Sequence, residues 1–384
     1  MTIIEKEEVL LTPKDLKPSS NLFEIFGTFN PGAIRLKNGD ILLYVRVGEI
    51  LKKWKDTKYY YSPRFVSNTR YKIILDKFNK DKIIDVNPPY GFYFENGTLR
   101  LTYFSHFRRV LLDKSGFKIK KIDPKPSFFG TKDDGELGVE DARIVYFQKE
   151  KSYLMSYVSL SRFGNISTSF AASKDCYHWH RRGITFRHQN KDVVIFPEKI
   201  NGRYTALHRP EGNFEFTLPH VWMSFSKDLE YWGNDQALAI TRDHIWESGK
   251  AGAGTPPIKT KYGWLEIYHG VQKMHKKEQW SIKHMFPFHQ KKHYPKKYSA
   301  GLILYDLKNP TKVIAKSNEN TPFLSPKKIY EKEGFVDNVI FPTGAVLDEK
   351  KEHILIFSGA ADRVTTVKKI SMEEVWKHLG IKSL

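Results

Sequence analysis

Asn38-Gly39-Asp40 runs directly into Ile41-Leu42-Leu43-Tyr44-Val45-Arg46-Val47. A turn-forming triplet followed by an apolar, aromatic block reads as a strand entered from a tight turn. The same plan recurs along the chain. Asn96-Gly97 precedes Thr98 to Phe104, Lys149 to Lys151 precedes Ser152 to Leu160, and Asn201-Gly202 precedes Arg203 to His208. Tyr262-Gly263 then precedes Trp264 to His269, and Glu349 to Glu352 precedes His353 to Ser358. The anchors of these runs, Tyr44, Tyr103, Tyr157, Leu207, Tyr268 and Phe357, stand about 50 to 60 residues apart except for a longer final gap, a spacing that suits four-stranded propeller blades with elaborated loops.

A second echo supports repetition. Ser173-Lys174-Asp175 with Trp179 returns as Ser226-Lys227-Asp228 with Trp232, which predicts two equivalent turns at strand ends. Helix signals are confined to the ends. Ser371 is placed to cap a helix over Met372 to His378 that stops at Gly380, with Glu373 and Glu374 at its positive N-terminal end. The expectation is an all-β propeller closed by terminal segments, one domain over 1–384, with a C-terminal helical segment at 371–380 and a basic inserted loop at 271–297.

Composition narrows the classes. The chain has 384 residues, 40% of them hydrophobic and 14% aromatic, ample for a packed core. Its opening carries Glu5, Glu7, Glu8, Lys14 and Asp15 where a signal peptide needs an apolar run, and no apolar stretch is long enough for a membrane span. A single cysteine, Cys176, suits a reducing compartment, so a soluble cytoplasmic protein is expected. Lys plus Arg number 63 against 43 Asp plus Glu, a net charge of +20 that attracts anions. The excess lysine is scattered and no nucleic-acid-binding signature accompanies it, which argues against nucleic acid; a phosphate-handling enzyme would also benefit from a positive field, though +20 is more than one small anion requires. Self-association into a homo-oligomer stays open.

Two features carry chemistry. Gly138-Val139-Glu140-Asp141-Ala142-Arg143 sets paired acids just before a strand over Ile144 to Gln148. Adjacent residues of an extended segment point to opposite sides, so one carboxyl is expected to face a central cavity while Arg143 holds the other. The second feature is a set of cations in apolar strand contexts: Lys191, Arg209, Lys250 and, with them, His269. Isolated positive charges are costly to bury unless an anion meets them, so blades that brought them to one mouth would form a phosphate site. Gly252 to Pro257 would let backbone approach it closely.

With these motifs the chain resembles glycoside hydrolase family 130, the inverting β-mannoside phosphorylases and their hydrolytic relatives. The likeness runs from about Asn30 to Asp362, and the Gly138 to Arg143 run is part of it. Phe29 to Ile34, Leu43 to Val47, Ile195 to Tyr204, Leu207 to Pro210 and Gly252 to Ile258 carry it further. So do Gly263 to Leu265, Tyr268 to Gly270, Phe341 to Gly344 and Gly359 to Asp362. The resemblance implies a five-bladed β-propeller with a central active site. It makes Asp141 the single catalytic acid, delivering its proton to the leaving oxygen through the mannose 3-hydroxyl. Phosphate attacks from the opposite face to give α-mannose 1-phosphate, so no second protein carboxylate is needed. Asn30, Arg46, Glu140 and Asp362 match positions around the mannose, and Lys191, Arg209, Lys250 and His269 match the phosphate-binding group. The resemblance calls for no metal and no cofactor beyond inorganic phosphate as co-substrate.

Retention of the phosphate group favours phosphorolysis of small manno-oligosaccharides over the alternatives, an inverting β-mannosidase on the same fold or a propeller that only binds glycans. Lysine at 191 stands where arginine is common and loses a bidentate fork. Ala142 replaces a usual proline, Phe357-Ser358 replaces a tyrosine pair, and the basic stretch after His269 is longer than expected.

Overall fold

The computed structural model describes residues 3–87, 90–187, 189–211, 218–238, 242, 245–273 and 296–382. It is almost entirely β. Five antiparallel sheets take four strands each along one main path. Sheet I holds Phe23–Arg35, Ile41–Leu51, Tyr103–Leu112 and Ile119–Ile122; sheet II holds Gly138–Phe147, Ser152–Ser161, Asn165–Ser173 and His180–Phe186. Sheet III holds Asn190–Ile195, Tyr204–Pro210, Trp222–Ser226 and Trp232–Ala237. Sheet IV holds Lys250–Gly252, Trp264–Lys273, Lys296–Tyr305 and Val313–Lys316, with Ile258–Lys259 beside its second strand. Sheet V joins both ends of the chain: Ile340–Leu347, His353–Ala360 and Val364–Ser371 are completed by Lys6–Leu11, which pairs antiparallel with the last of these.

Turn chemistry sets the hairpins. At Asn201-Gly202 both residues take positive φ, 51° and 79°, and Ile200 and Arg203 exchange backbone hydrogen bonds of 2.8 and 3.1 Å across them. Such a turn matches the twist of its strands, and asparagine and glycine tolerate it best. The repeated Ser-Lys-Asp motif does close two equivalent turns. Ser173 accepts from the amides of Asp175 and Cys176 as Ser226 does from Asp228 and Leu229, while Asp175 and Asp228 each accept from the amides two and three residues on.

Apolar clusters lie between sheets. Tyr44 and Phe107 of sheet I meet Val139 and Tyr157 of II, and Val145 and Phe170 of II meet Val193 and Ala206 of III. Leu207 and Met223 of III meet Tyr268 and Ile303 of IV, and Ile267 and Leu302 of IV meet Ile340 and Ile354 of V. Leu355 and Val367 of V then meet Leu43 and Val110 of I. Each large side chain fully buried in these layers contributes roughly 1.5–3 kcal/mol.

The repeat expected from the anchors needs one correction. Tyr44, Tyr157, Leu207, Tyr268 and Phe357 all sit on second strands, whereas Tyr103 opens the third strand of sheet I. Residues 52–102 are inserted between those two strands and form two small extra sheets, Tyr59–Phe65 with Ile73–Asn79, and Ile83–Asn87, Gly91–Phe94 and Leu99–Leu101. The insert is about one repeat long and so imitates a blade in sequence. It also divides the run expected over Thr98 to Phe104.

The C-terminal helix spans Met372–His378, with Ser371 accepting from the Glu374 amide at 3.2 Å. Helix is not confined to the ends, because Ile329–Lys332 forms one further turn, held by Glu331, which accepts from the amides of Lys327 and Lys328. Most of the basic stretch 271–297, namely 274–295, lies outside the described residues. Among the described residues no helix is long and apolar enough to cross a membrane.

Candidate active site

The first strands of sheets I, II, III and V slip register between Phe29 and Gly32, Glu140 and Arg143, Lys191 and Val194, and Pro342 and Gly344, and that of sheet I slips again between Ile25 and Gly27. In three of these bulges a polar residue holds positive φ: Asn30 at 48°, Asp141 at 54° and Asp192 at 58°. Asparagine and aspartate enter this region more readily than other residues with a Cβ. A bulge re-aims the side chains of its strand. That geometry overturns the expectation that Glu140 and Asp141 face opposite ways. Both carboxylates meet the guanidinium of Arg46, which donates to Asp141 Oδ1 at 3.0 Å and to Glu140 Oε1 at 2.5 Å.

Around this pair further polar residues assemble. Asn30 donates to Asp141 Oδ1 at 2.9 Å, and Lys191 reaches Glu140 Oε2 at 3.3 Å. Arg46 is fixed from behind by Ser105, at 3.1 Å, and lies 4.7 Å from the centre of the Phe29 ring. Burial pushes the Asp141 carboxyl upward, but Arg46, Arg143, Lys191 and the Asn30 hydrogen bond outweigh it and hold the group below the ordinary aspartate range. Asp362 goes the other way. Burial, reinforced by the charges of Asp141 and Glu140 and opposed by Arg46 and Lys191, pushes it up to about 7.

Among the cations the organising group is Asp192, a residue the sequence reading passed over. It accepts from Arg209 Nε at 2.8 Å and lies 3.4 Å from Arg143 Nη2 and 3.5 Å from His269 Nε2. Lys250 reaches Glu211 at 3.4 Å, and Arg209 also contacts Glu211. Arg143 hydrogen-bonds neither the Glu140 nor the Asp141 carboxylate, against the expectation that it would hold one of them. It donates to the backbone carbonyls of Asp141 at 2.8 Å and Gly254 at 3.1 Å, tying the turn that bears the acid to the cationic side. Burial, together with Arg209, Lys250 and Arg143 and against the pull of Asp192, lowers His269 to about 3. His269 is therefore a neutral imidazole near neutral pH. Its ring centre is 4.4 Å from that of Phe341.

Residues 101–380 match the family model for glycoside hydrolase family 130, described as beta-1,4-mannooligosaccharide phosphorylase. The chain belongs to this family. It is similar to the β-1,2-mannobiose phosphorylase of Listeria innocua, with 31% identity over 98% of both chains. The solved structure of the β-1,2-mannobiose phosphorylase from Listeria innocua in complex with β-1,2-mannobiose superposes with a TM-score of 0.81 at 30% identity, covering 97% of each chain. The 1,2-β-oligomannan phosphorylase of a Thermoanaerobacter species is 34% identical over 69% of this chain and 78% of that protein.

In this family 130 protein all nine residues singled out from the sequence converge, and the two groups of four around Asp141 are joined through Arg143. Asp192 was legible only in hindsight. Its signal is that Lys191-Asp192 opens a first strand just as Glu140-Asp141 lies near the start of another, but the turns around the two share no other residue.

Asp362 gives the site a pH signature. Its proton is retained to about pH 7, well above an unfolded aspartate near 3.9, so the native state binds more protons between those values. The stabilisation is complete at low pH and is lost as pH rises through about 7. Asp362→Asn, permanently neutral, is expected to remove this limb from a stability profile measured by denaturant unfolding between pH 4 and 8. A limb unchanged in the variant would assign it to another group.

Proposed function

We propose that this protein is an inverting phosphorylase that cleaves β-mannosidic bonds of small manno-oligosaccharides with inorganic phosphate, releasing α-mannose 1-phosphate. The observation that carries the reading is the tie between the acid and the cations: one arginine, Arg143, bonds the backbone of Asp141 and reaches Asp192, around which Arg209 and His269 gather. The five sheets are read as blades of a propeller forming one catalytic domain, because five apolar clusters join each sheet to the next and the last to the first.

In the proposed reaction a mannosyl ring lies against Asn30, Arg46, Glu140 and Asp362, with phosphate among Lys191, Arg209, Lys250 and His269. A phosphate oxygen forms the new bond to the anomeric carbon as the bond to the leaving oxygen breaks. The leaving oxygen takes a proton from Asp141 through the sugar's 3-hydroxyl. Arg46, together with Arg143 and Lys191 from the cationic side, outweighs burial and keeps Asp141 ionised. A phosphate dianion beside those cations offsets them and lifts Asp141 toward the protonated form the reaction needs. No metal or organic cofactor enters the scheme, and a cytoplasmic location fits a reaction that conserves a sugar phosphate.

Hydrolysis would need a carboxylate base for water. Asp192 is a poor one, because Arg209, His269 and Arg143 overcome burial and hold it well below the ordinary aspartate range. The deciding experiment is product analysis with β-1,2- and β-1,4-mannobiose, with and without phosphate. Mannose 1-phosphate formed only with phosphate is expected, whereas free mannose formed equally without it would make the protein a β-mannosidase. Lys250→Ala should raise the phosphate KM roughly ten- to hundredfold, the loss of one charge-assisted hydrogen bond, with mannoside binding nearly unchanged. Initial rates over a phosphate series check this, and equal losses for both substrates would mean that Lys250 positions something else.

A further inference from the structure

Glu266 is a buried carboxyl to which the reaction scheme above gives no task. It stands on the second strand of sheet IV, Trp264–Lys273, fully enclosed, with its neighbours Leu265 and Ile267 in the apolar layer against sheet V. The ladder along this strand breaks beside it. Pairing with Lys250–Gly252 ends at Gly252 opposite His269, and pairing with Ile258–Lys259 resumes at Ile258 opposite Leu265. Residues 253–257 cross the gap on other bonds. Glu266 Oε1 accepts from the Gly254 amide at 3.3 Å, the Thr255 amide donates to the Ile267 carbonyl at 3.0 Å, and the Thr255 hydroxyl accepts from the Ile267 amide at 3.3 Å. On its other side the carboxyl meets the hydroxyl of Tyr305, at the end of the third strand, at 2.8 Å.

Gly254 is thus held at both ends. Its amide goes to Glu266, and its carbonyl accepts from Arg143 Nε at 3.1 Å, while Arg143 Nη1 donates to the Asp141 carbonyl at 2.8 Å. One line of hydrogen bonds runs from Glu266 through Gly254 and Arg143 to the backbone of the acid. A Cβ at Gly254 would collide with the Ile267 carbonyl oxygen, so this segment already lies as near the strand as backbone allows. At the far end Asp141 holds a φ of 54°, a conformation its surroundings must impose. Burial, with Asp192 adding to it, pushes the Glu266 carboxyl up to about 8 against Tyr305, Gly254 and Arg143. Near neutral pH it is therefore uncharged, and it fixes Gly254 without drawing the Arg143 guanidinium away from the Asp141 turn.

Resting on the phosphorylase reading above, we propose that Glu266 is a positioning residue for proton transfer: it sets Gly254, Gly254 sets Arg143, and Arg143 holds the turn that aims Asp141 at the sugar. It acts through these neighbours rather than on the substrate. Its effect falls on the rate of bond cleavage, because a displacement of about 1 Å at a reacting group can cost roughly 10²-fold. Binding of the mannoside is affected far less.

The test measures kcat and KM for mannose 1-phosphate formation in three variants, with rates referred to folded protein as determined by denaturant unfolding. Glu266→Met keeps the length of the side chain and removes the acceptor. Glu266→Asp keeps the carboxyl and withdraws it by one methylene. Both should lower kcat at saturating substrates by roughly ten- to hundredfold and leave the mannobiose KM within about threefold. Glu266→Gln, which keeps an acceptor for Gly254 and a polar group for Tyr305, should retain at least about a third of the wild-type kcat. In an Arg143→Lys background, where one amine cannot bond both carbonyls, Glu266→Met should cost no more than about twofold further. A kcat kept within about twofold in the Met and Asp variants, a Gln variant as slow as Met, or a full-sized Met loss in Arg143→Lys overturns the positioning role and leaves the phosphorylase reading standing. No mannose 1-phosphate from β-1,2- or β-1,4-mannobiose with the wild type overturns the phosphorylase reading itself and this inference with it.

Discussion

Asp141→Asn lowers mannose 1-phosphate formation by roughly 10²–10⁴-fold, the usual contribution of a positioned general acid, while mannoside binding stays measurable. Asparagine suits the position sterically, since the backbone there has φ of 54° and asparagine tolerates that region. The amide carries no acidic proton to pass to the leaving oxygen, however, and one of its two ends presents an N–H where a carboxylate oxygen met both Asn30 and Arg46. A further consequence separates this loss from simple misfolding. Asp141 is one of the charges that push Asp362 up to about 7, so removing it lets Asp362 titrate lower and shifts the corresponding limb of the stability profile toward acid. Steady-state rates together with calorimetry check the first expectation. A variant that keeps more than about a tenth of wild-type activity would mean that another group supplies the proton.

The second large effect belongs to Asp192. Asp192→Asn is expected to raise the phosphate KM by about 10²-fold or more and to destabilise the fold by roughly 3–5 kcal/mol, the cost of leaving buried charges without their partner. Two arginines, Arg209 and Arg143, then face each other without the carboxylate between them. Asp192→Ala should cost more, because alanine must also hold a φ of 58°. The pH dependence has the opposite sign to that of Asp362. Arg209, His269 and Arg143 outweigh burial and lower Asp192, so its stabilisation is fully present above the ordinary carboxylate range and fades as pH falls through it. A purely structural role would lower stability without separating the substrates. The phosphate KM should therefore move far more than the affinity for mannobiose, and denaturant unfolding of the same variant gives the stability term. If both substrates weaken alike, Asp192 does not organise the phosphate side.

Much of the fold was legible because its signals are local. A turn such as Asn201-Gly202 fixes its hairpin through two backbone conformations, and Ser371 caps its helix with one hydroxyl three residues from the amide it meets. The insert at 52–102 misled for the same reason. It is built from the same kind of hairpins as a repeat, and local signals carry no record of which strand a hairpin will join.

The sequence by itself determined the strand-and-turn grammar, the all-β class, the family, and the nine polar residues that gather at the site, since each of these is written in residue type and short spacing. Only the tertiary structure decided how those residues share work. The bulges that turn Glu140 and Asp141 onto one arginine arise from pairing between strands, and Asp192 gains its role from Arg143, Arg209 and His269, which lie 49, 17 and 77 positions away in sequence. Protonation belongs to the same level: Asp141 and Asp362 are the same side chain, and burial beside unequal numbers of cations and carboxylates sends one below the ordinary range and the other to about 7.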